Sequence, residues 1–196
     1  MTTKLGNGWA PSIRLATNGR ARIVYSGQSA LEYAVAATAS GGFSTTKIPH
    51  TTGEDIHPML SLDTQGYAAA AWTHAPYVPG PWTVRYSTRK SGSWSAPVTV
   101  ATSSDGFGAV AFDMDTLGRP NIVIANTGDD KMLRDVRLAG GTWTTSTIVG
   151  PLPLVRAVSV HRAFSATDRT QPPHHLTVPG SRWQVDVTPW RRRFPS

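Results

Sequence analysis

The sequence predicts an all-β fold built from four-stranded antiparallel sheets stacked as the blades of a β-propeller, about three and a half of them. Three observations carry this. First, PSIRLATNGRARIVYS (11–26), PMLSLDTQGYAAAAWT (58–73) and VAFDMDTLGRPNIVIA (110–125) align without gaps, with Gly19, Gly66 and Gly118 standing 47 and 52 residues apart. A repeat of that length is the mark of propellers and solenoids. Second, each copy continues through a strand-like segment and a glycine turn to an aromatic residue, Phe43, Trp94 or Trp143, followed by a Thr/Val/Ile-rich stretch. Third, the segment after each Thr-x-Gly is apolar at successive positions, as in Ile122, Val123 and Ile124, which suits a strand covered on both faces.

The elements follow in order. Strand one of each copy is SIRLA, MLSLD or AFDMD, with apolar residues two apart. The turn is TNG, TQG or TLG, whose glycine supplies the positive φ of a tight hairpin. Strand two is ARIVYS, AAAAWT or PNIVIA. Its middle version begins with Ala68 to Ala71, and alanine is the best helix former. The register nevertheless sets these alanines opposite Arg22-Ile23-Val24 and Ile122-Val123, which favour strands. Gly66 precedes the run, and Pro76, Pro79 and Pro81 follow it, so a strand is predicted there too. Strands three and four are the YAVA-type and WSAPVTV-type segments. The blades occupy residues 1–150, with repeats near 11–57, 58–109 and 110–150.

Residues 151–196 read as a degraded fourth blade and a basic Pro/Arg-rich tail. Ala157 to Val160 opens it, and His175-Leu176-Thr177 and Trp183 to Val187 supply its third and fourth strands, but no Thr-x-Gly turn is present. A closed ring usually needs four to eight blades. The chain is therefore expected to be part of a larger propeller or to self-associate through its open blade edges.

Composition narrows the function classes. The net charge is +7, yet residues 1–150 hold 12 Lys and Arg against 10 Asp and Glu, whereas residues 151–196 hold seven arginines against Asp168 and Asp186. Basicity confined to an end, without aromatic residues interleaved along one face, argues against nucleic acid as a partner. The absence of cysteine removes disulfides, thiolate metal sites and thiol catalysis and leaves the compartment open. The segment MTTKLGNGWAPSIRLATNG has no apolar core of a signal peptide, and no stretch approaches the roughly 20 apolar residues of a membrane span. Localisation is left as extracellular within a larger secreted protein, or otherwise cytoplasmic.

Over residues 11–150 the chain resembles the degenerate repeats of sialidase-like (neuraminidase-repeat) β-propellers. The likeness rests on Ser61-Leu62-Asp63-Thr64-Gln65-Gly66, Asp113-Met114-Asp115-Thr116-Leu117-Gly118, Gly92-Ser93-Trp94 and Gly141-Thr142-Trp143. The family's Asp box, Ser-x-Asp-x-Gly-x-x-Trp, has its glycine one residue earlier than here, and Trp72 lies further on. The resemblance implies the propeller fold and a glycan as ligand class. Its catalytic set, a tyrosine nucleophile with a glutamate, an aspartate acid/base and three arginines on a substrate carboxylate, transfers to no residue here. Glu32 and Glu54 are the only glutamates, and the family's Arg-Ile-Pro is absent. There is also no nucleophile elbow, phosphate loop or dinucleotide fingerprint, so no cofactor and no catalytic residue is assigned.

Hairpin connections alternate between the two ends of a blade, and the longer loops collect at one end: PHTTGEDIHP (49–58), THAPYVPGPW (73–82), TSSDGFG (102–108) and NTGDDKM (126–132). Long loops on a rigid scaffold are where function concentrates. Trp82, Tyr77 and His74 offer planar faces for sugar rings. His50, Glu54, Asp55 and His57 supply imidazole and carboxylate donors, but without a ligand spacing such as His-x-x-x-His no metal is assigned. Asp129 joins them as a loop carboxylate. The expected function is a non-catalytic recognition module for a carbohydrate or a protein partner; the alternative is a fragment of a sialidase-type exo-glycosidase whose catalytic residues lie outside this chain.

Overall fold

The repeat first dictates a hairpin. At each Thr-x-Gly the chain reverses through three residues, and the N–H groups of Ala16, Asp63 and Asp115 donate to the carbonyls of Arg20, Tyr67 and Arg119, each at 3.0 Å. Gly19, Gly66 and Gly118 adopt φ of 74°, 80° and 71°, the left-handed conformation that closes a three-residue hairpin. Asp63 Oδ1 accepts from the N–H groups of Gln65 (2.9 Å) and Tyr67 (2.8 Å). Asp115 Oδ1 does the same for Leu117 (2.9 Å) and Arg119 (2.8 Å). Partial burial pushes the Asp115 carboxyl up, but the N–H and guanidinium of Arg119 and the N–H of Leu117 outweigh it and hold the group below its ordinary value.

The computed structural model describes residues 5–50, 52–77, 80–126 and 132–150, and the backbone of strands 155–162, 175–177 and 183–189. The first sheet is the meander β1 (Trp9–Leu15), β2 (Ala21–Ser26), β3 (Leu31–Thr38) and β4 (Gly41–Lys47). The second is β5 (Glu54–Leu62), β6 (Ala68–Ala75), β7 (Trp82–Arg89) and β8 (Val98–Ser103). The third is β9 (Phe107–Met114), β10 (Pro120–Asn126), β11 (Leu133–Ala139) and β12 (Thr142–Val149). All pairings within these sheets are antiparallel. The first strands of successive sheets stand side by side, β1 against β5 and β5 against β9, as the inner strands of propeller blades do. Among the described residues no helix is long and apolar enough to cross a membrane.

The fourth sheet holds β13 (Val155–Arg162), β14 (His175–Thr177) and β15 (Trp183–Pro189), in the spatial order β13-β15-β14. β13 packs beside β9 and opens this sheet where Ala157 to Val160 were expected to. The strand paired with it is β15, the last described strand, and not the next in sequence, so the simple meander of the other sheets is not kept.

The alanine run forms β6, a strand buried at every position. Its residues alternate between two cores, as the two-residue period of a strand requires. Ala68, Ala70 and Trp72 pack with Val24, Leu31, Tyr33 and Ile48 of the first repeat. Ala69 and Ala71 pack with Phe112, Met114, Ile122, Ile124 and Val136 of the third sheet. Inner strands are also joined by buried serines. Ser12 Oγ accepts from the Leu60 N–H at 3.1 Å; Ser61 Oγ donates to Asp113 Oδ1 at 2.5 Å and accepts from the Met114 N–H at 3.1 Å.

One element differs from expectation. Strand four of the second repeat begins at Val98, after Pro97, whose missing N–H cannot serve the ladder. Trp94 is therefore outside the strand, and its ring meets Tyr33 edge-on at 5.1 Å, sealing the first two sheets together. Trp143 does lie in its strand, β12, and makes the matching contact with Tyr86 at 5.2 Å.

Ala71 is fully buried between two sheets, so Ala71→Leu forces extra carbon into a packed seam. A destabilisation of about 1–3 kcal/mol is expected, read as a lower midpoint in urea denaturation at unchanged slope.

Candidate functional site

The long-loop end of the first two sheets holds a cleft of about 390 Å³. Asn7, Gly8 and Trp9 lead into it at the start of β1, Gly27 to Ala30 come from the β2–β3 loop, and His50 with Gly53 to Ile56 comes from the link into β5; Tyr77 closes it from the β6–β7 loop.

Two matching irregularities shape the cleft. Ala10 and His57 have φ of 49° and 51°, each directly before a proline, Pro11 or Pro58. The pairing register shifts at the same places, between Trp9 and Ser12 and between Ile56 and Met59. These are β-bulges, where a strand tolerates proline and its side chains are re-aimed. Positive φ at a non-glycine residue costs about 1–3 kcal/mol and collects at functional sites. Here the paired bulges set the Trp9 ring edge-on against His57 at 5.7 Å, with Trp9 49% exposed.

Beneath this lies Asp55. Its side chain is only 2% exposed. Oδ1 accepts from Trp72 Nε1 at 2.8 Å and lies 2.8 Å from His74 Nδ1, a contact in which Nδ1 carries the proton. Its carbonyl accepts from Ser26 Oγ at 3.2 Å, tying the start of β5 to the end of β2. Oδ2 is buried and accepts no hydrogen bond, and His50 Nδ1 is 3.9 Å from it. A buried carboxylate oxygen left without a donor is costly and is a mark of a functional position. Gly53 is required beside this group: its φ is 132°, and a Cβ there would stand 2.5 Å from His74 Cε1.

The residues singled out in the sequence separate into distinct roles. His50, Glu54, Asp55 and Tyr77 line one cleft. His74 is not a loop residue; it is the seventh residue of β6, 4% exposed, and its Nδ1 holds Asp55. Trp82 likewise begins β7, paired with Ser103 and half-buried, because the ladder extends further than the flanking prolines suggested. His57 stands against Trp9. Asp129 lies outside the described residues. No group of three or more His, Cys, Asp or Glu is placed to hold a metal among the described residues.

Sequence reasoning missed Trp9, Asn7, Gln28 and Ser29. Trp9 precedes the first aligned segment, and the loop at Gly27 is short. The signal was the x-Pro pair before strand one in both copies, Ala10-Pro11 and His57-Pro58, which marks a bulge.

The geometry shares its fold with solved structures. Endo-arabinase from Bacteroides thetaiotaomicron matches with a TM-score of 0.54 at 12% identity, over 95% of this chain and 76% of that one. AofleA from Arthrobotrys oligospora matches with a TM-score of 0.48 at 14% identity, over 77% of this chain and 47% of that one. No protein-family model and no curated protein sequence matches the chain. At 12% identity the first likeness concerns the fold, which is that of stacked propeller blades.

Asp55→Ala strands the buried donors of Trp72 and His74 together. A loss of about 2 kcal/mol or more is expected, accompanied by a change in tryptophan emission in the folded state.

Proposed function

We propose that the chain is a non-catalytic recognition module that binds carbohydrate in the cleft between its first two sheets. The observation that carries this is the combination, in one cleft, of exposed aromatic rings, Trp9 and Tyr77, with convergent polar groups on Glu54, Gln28, Ser29 and His50 above a buried carboxylate. Sugars present an apolar C–H face and a rim of hydroxyls, and they need both kinds of surface. A cleft of 390 Å³ sits near the lower end of the roughly 300–1,000 Å³ typical of small-ligand sites.

A second reading, a glycan hydrolase, draws on the name of the endo-arabinase that shares the fold. Hydrolysis of a glycoside ordinarily uses two carboxyl groups on opposite sides of the scissile bond. Glu54 and Asp55 are successive residues of β5 and do not face each other across the cleft. Asp55 is moreover committed to Trp72 and His74. Binding therefore stands ahead of hydrolysis, and release of reducing sugar from arabinan or a sialoside would reverse that order.

The outer side of β1 exposes Ile13 and Leu15, 54% and 69% accessible. This supports self-association through the first sheet, the partner being a second copy.

Two measurements check the reading. On a glycan array, Trp9→Ala is expected to lower the signal of any bound glycan about tenfold or more, as loss of an aromatic anchor does; binding indifferent to Trp9 and Tyr77 would move the site elsewhere. Light scattering is expected to show a mass above 21.0 kDa that falls toward it with Leu15→Lys, and a monomer at every concentration would remove self-association.

A further inference from the structure

The cleft also carries a charge, and its sign restricts the sugar; this step rests on the glycan reading above. The chain as a whole is +7, yet the cleft is acidic. Glu54 stands at its surface and Asp55 beneath it. Glu32 lies just behind, its Oε1 2.9 Å from where a Cβ on Gly27 would sit, and it accepts from the Tyr25 hydroxyl at 2.7 Å. Burial and this acceptor hold the Tyr25 proton firmly, with its pKa pushed up to about 12. None of the described residues lining the cleft is Lys or Arg. Lys47 reaches only the rim, where its Nζ donates to Ser29 Oγ at 3.3 Å.

Asp55 decides the selectivity. Trp72 and His74 hold its Oδ1, but its Oδ2 accepts no hydrogen bond and has only the His50 imidazole near it, at 3.9 Å, so no Lys or Arg neutralises the carboxylate on the side of the cleft. Charges out of reach of water are poorly screened by solvent and salt. A ligand carboxylate placed there meets two or three like charges, whereas a hydroxyl or an ammonium finds acceptors. We propose that the cleft selects neutral or amine-bearing sugars and rejects acidic ones, sialic and uronic acids included. This runs opposite to the substrate that the sialidase resemblance implies.

The test is a printed array on which each neutral glycan is paired with its sialylated or uronic-acid form, probed with the full chain and with Glu54→Gln and Asp55→Asn. Neutral members are expected to exceed their acidic partners by about tenfold or more, and the gap is expected to narrow in both variants. Glu54 is exposed, so Glu54→Gln keeps the test informative if Asp55→Asn fails to fold. Acidic glycans bound as well as or better than neutral ones would overturn the selectivity and leave the glycan reading standing. So would a gap that neither variant changes, because the selection would then be steric. Binding to no glycan on the array would overturn the reading together with the inference.

Discussion

The structure depends on how closely its sheets can approach at β6. This strand has a core on each side, and a side chain larger than alanine at Ala68 to Ala71 would hold one neighbouring sheet away. Opposite the alanines the seams are filled by larger residues of the neighbouring sheets, Tyr33 and Leu31 on one side and Phe112, Ile122 and Ile124 on the other, with Trp72 and Tyr86 of the second sheet beside them. Close packing makes such a seam intolerant of added volume. Helix propensity among four alanines amounts to a few tenths of a kcal/mol per residue, too little to compete with two cores.

The same strand supports the cleft. Trp72 and His74 continue β6 beyond the alanines, and their ring nitrogens fix Asp55 on the neighbouring strand. Ser26 holds the backbone of Asp55 from the first sheet. Asp55 is therefore held from strands, while most of the residues lining the cleft come from the loops around it. Rigid positioning of a buried charge by packed strands is more exact than a loop can offer, and beside it the positive φ of Ala10 and His57 accompanies the bulges that bring Trp9 against His57.

Much of this was legible beforehand. Gly19, Gly66 and Gly118 each close the same hairpin, because one positive-φ residue at a fixed place in a repeat leaves few alternatives. Blade topology placed the loops of His50, Glu54, Asp55 and Tyr77 at one end; that Tyr77 shares a cleft with the other three, without Trp82, His74 and His57 among its lining residues, was not visible. Nor were the roles of His74 and Trp82, since a strand boundary near prolines depends on the ladder that forms and not on local composition. Trp9 escaped because its importance comes from a contact with His57, distant in sequence. The early end of the ladder at Pro97 was readable from the proline itself, and the aromatic repeat concealed it.

The spatial order β13-β15-β14 has a bearing on how the chain is made. Each of the first three sheets joins strands adjacent in sequence and can form while later residues are still on the ribosome. In the last sheet the partner of Val155–Arg162 is Trp183–Pro189, which leaves the ribosome only after His175–Thr177 has. Until it does, β13 lacks the strand it pairs with, so the fourth sheet closes later than the three meanders, whose strands pair as each follows the one before.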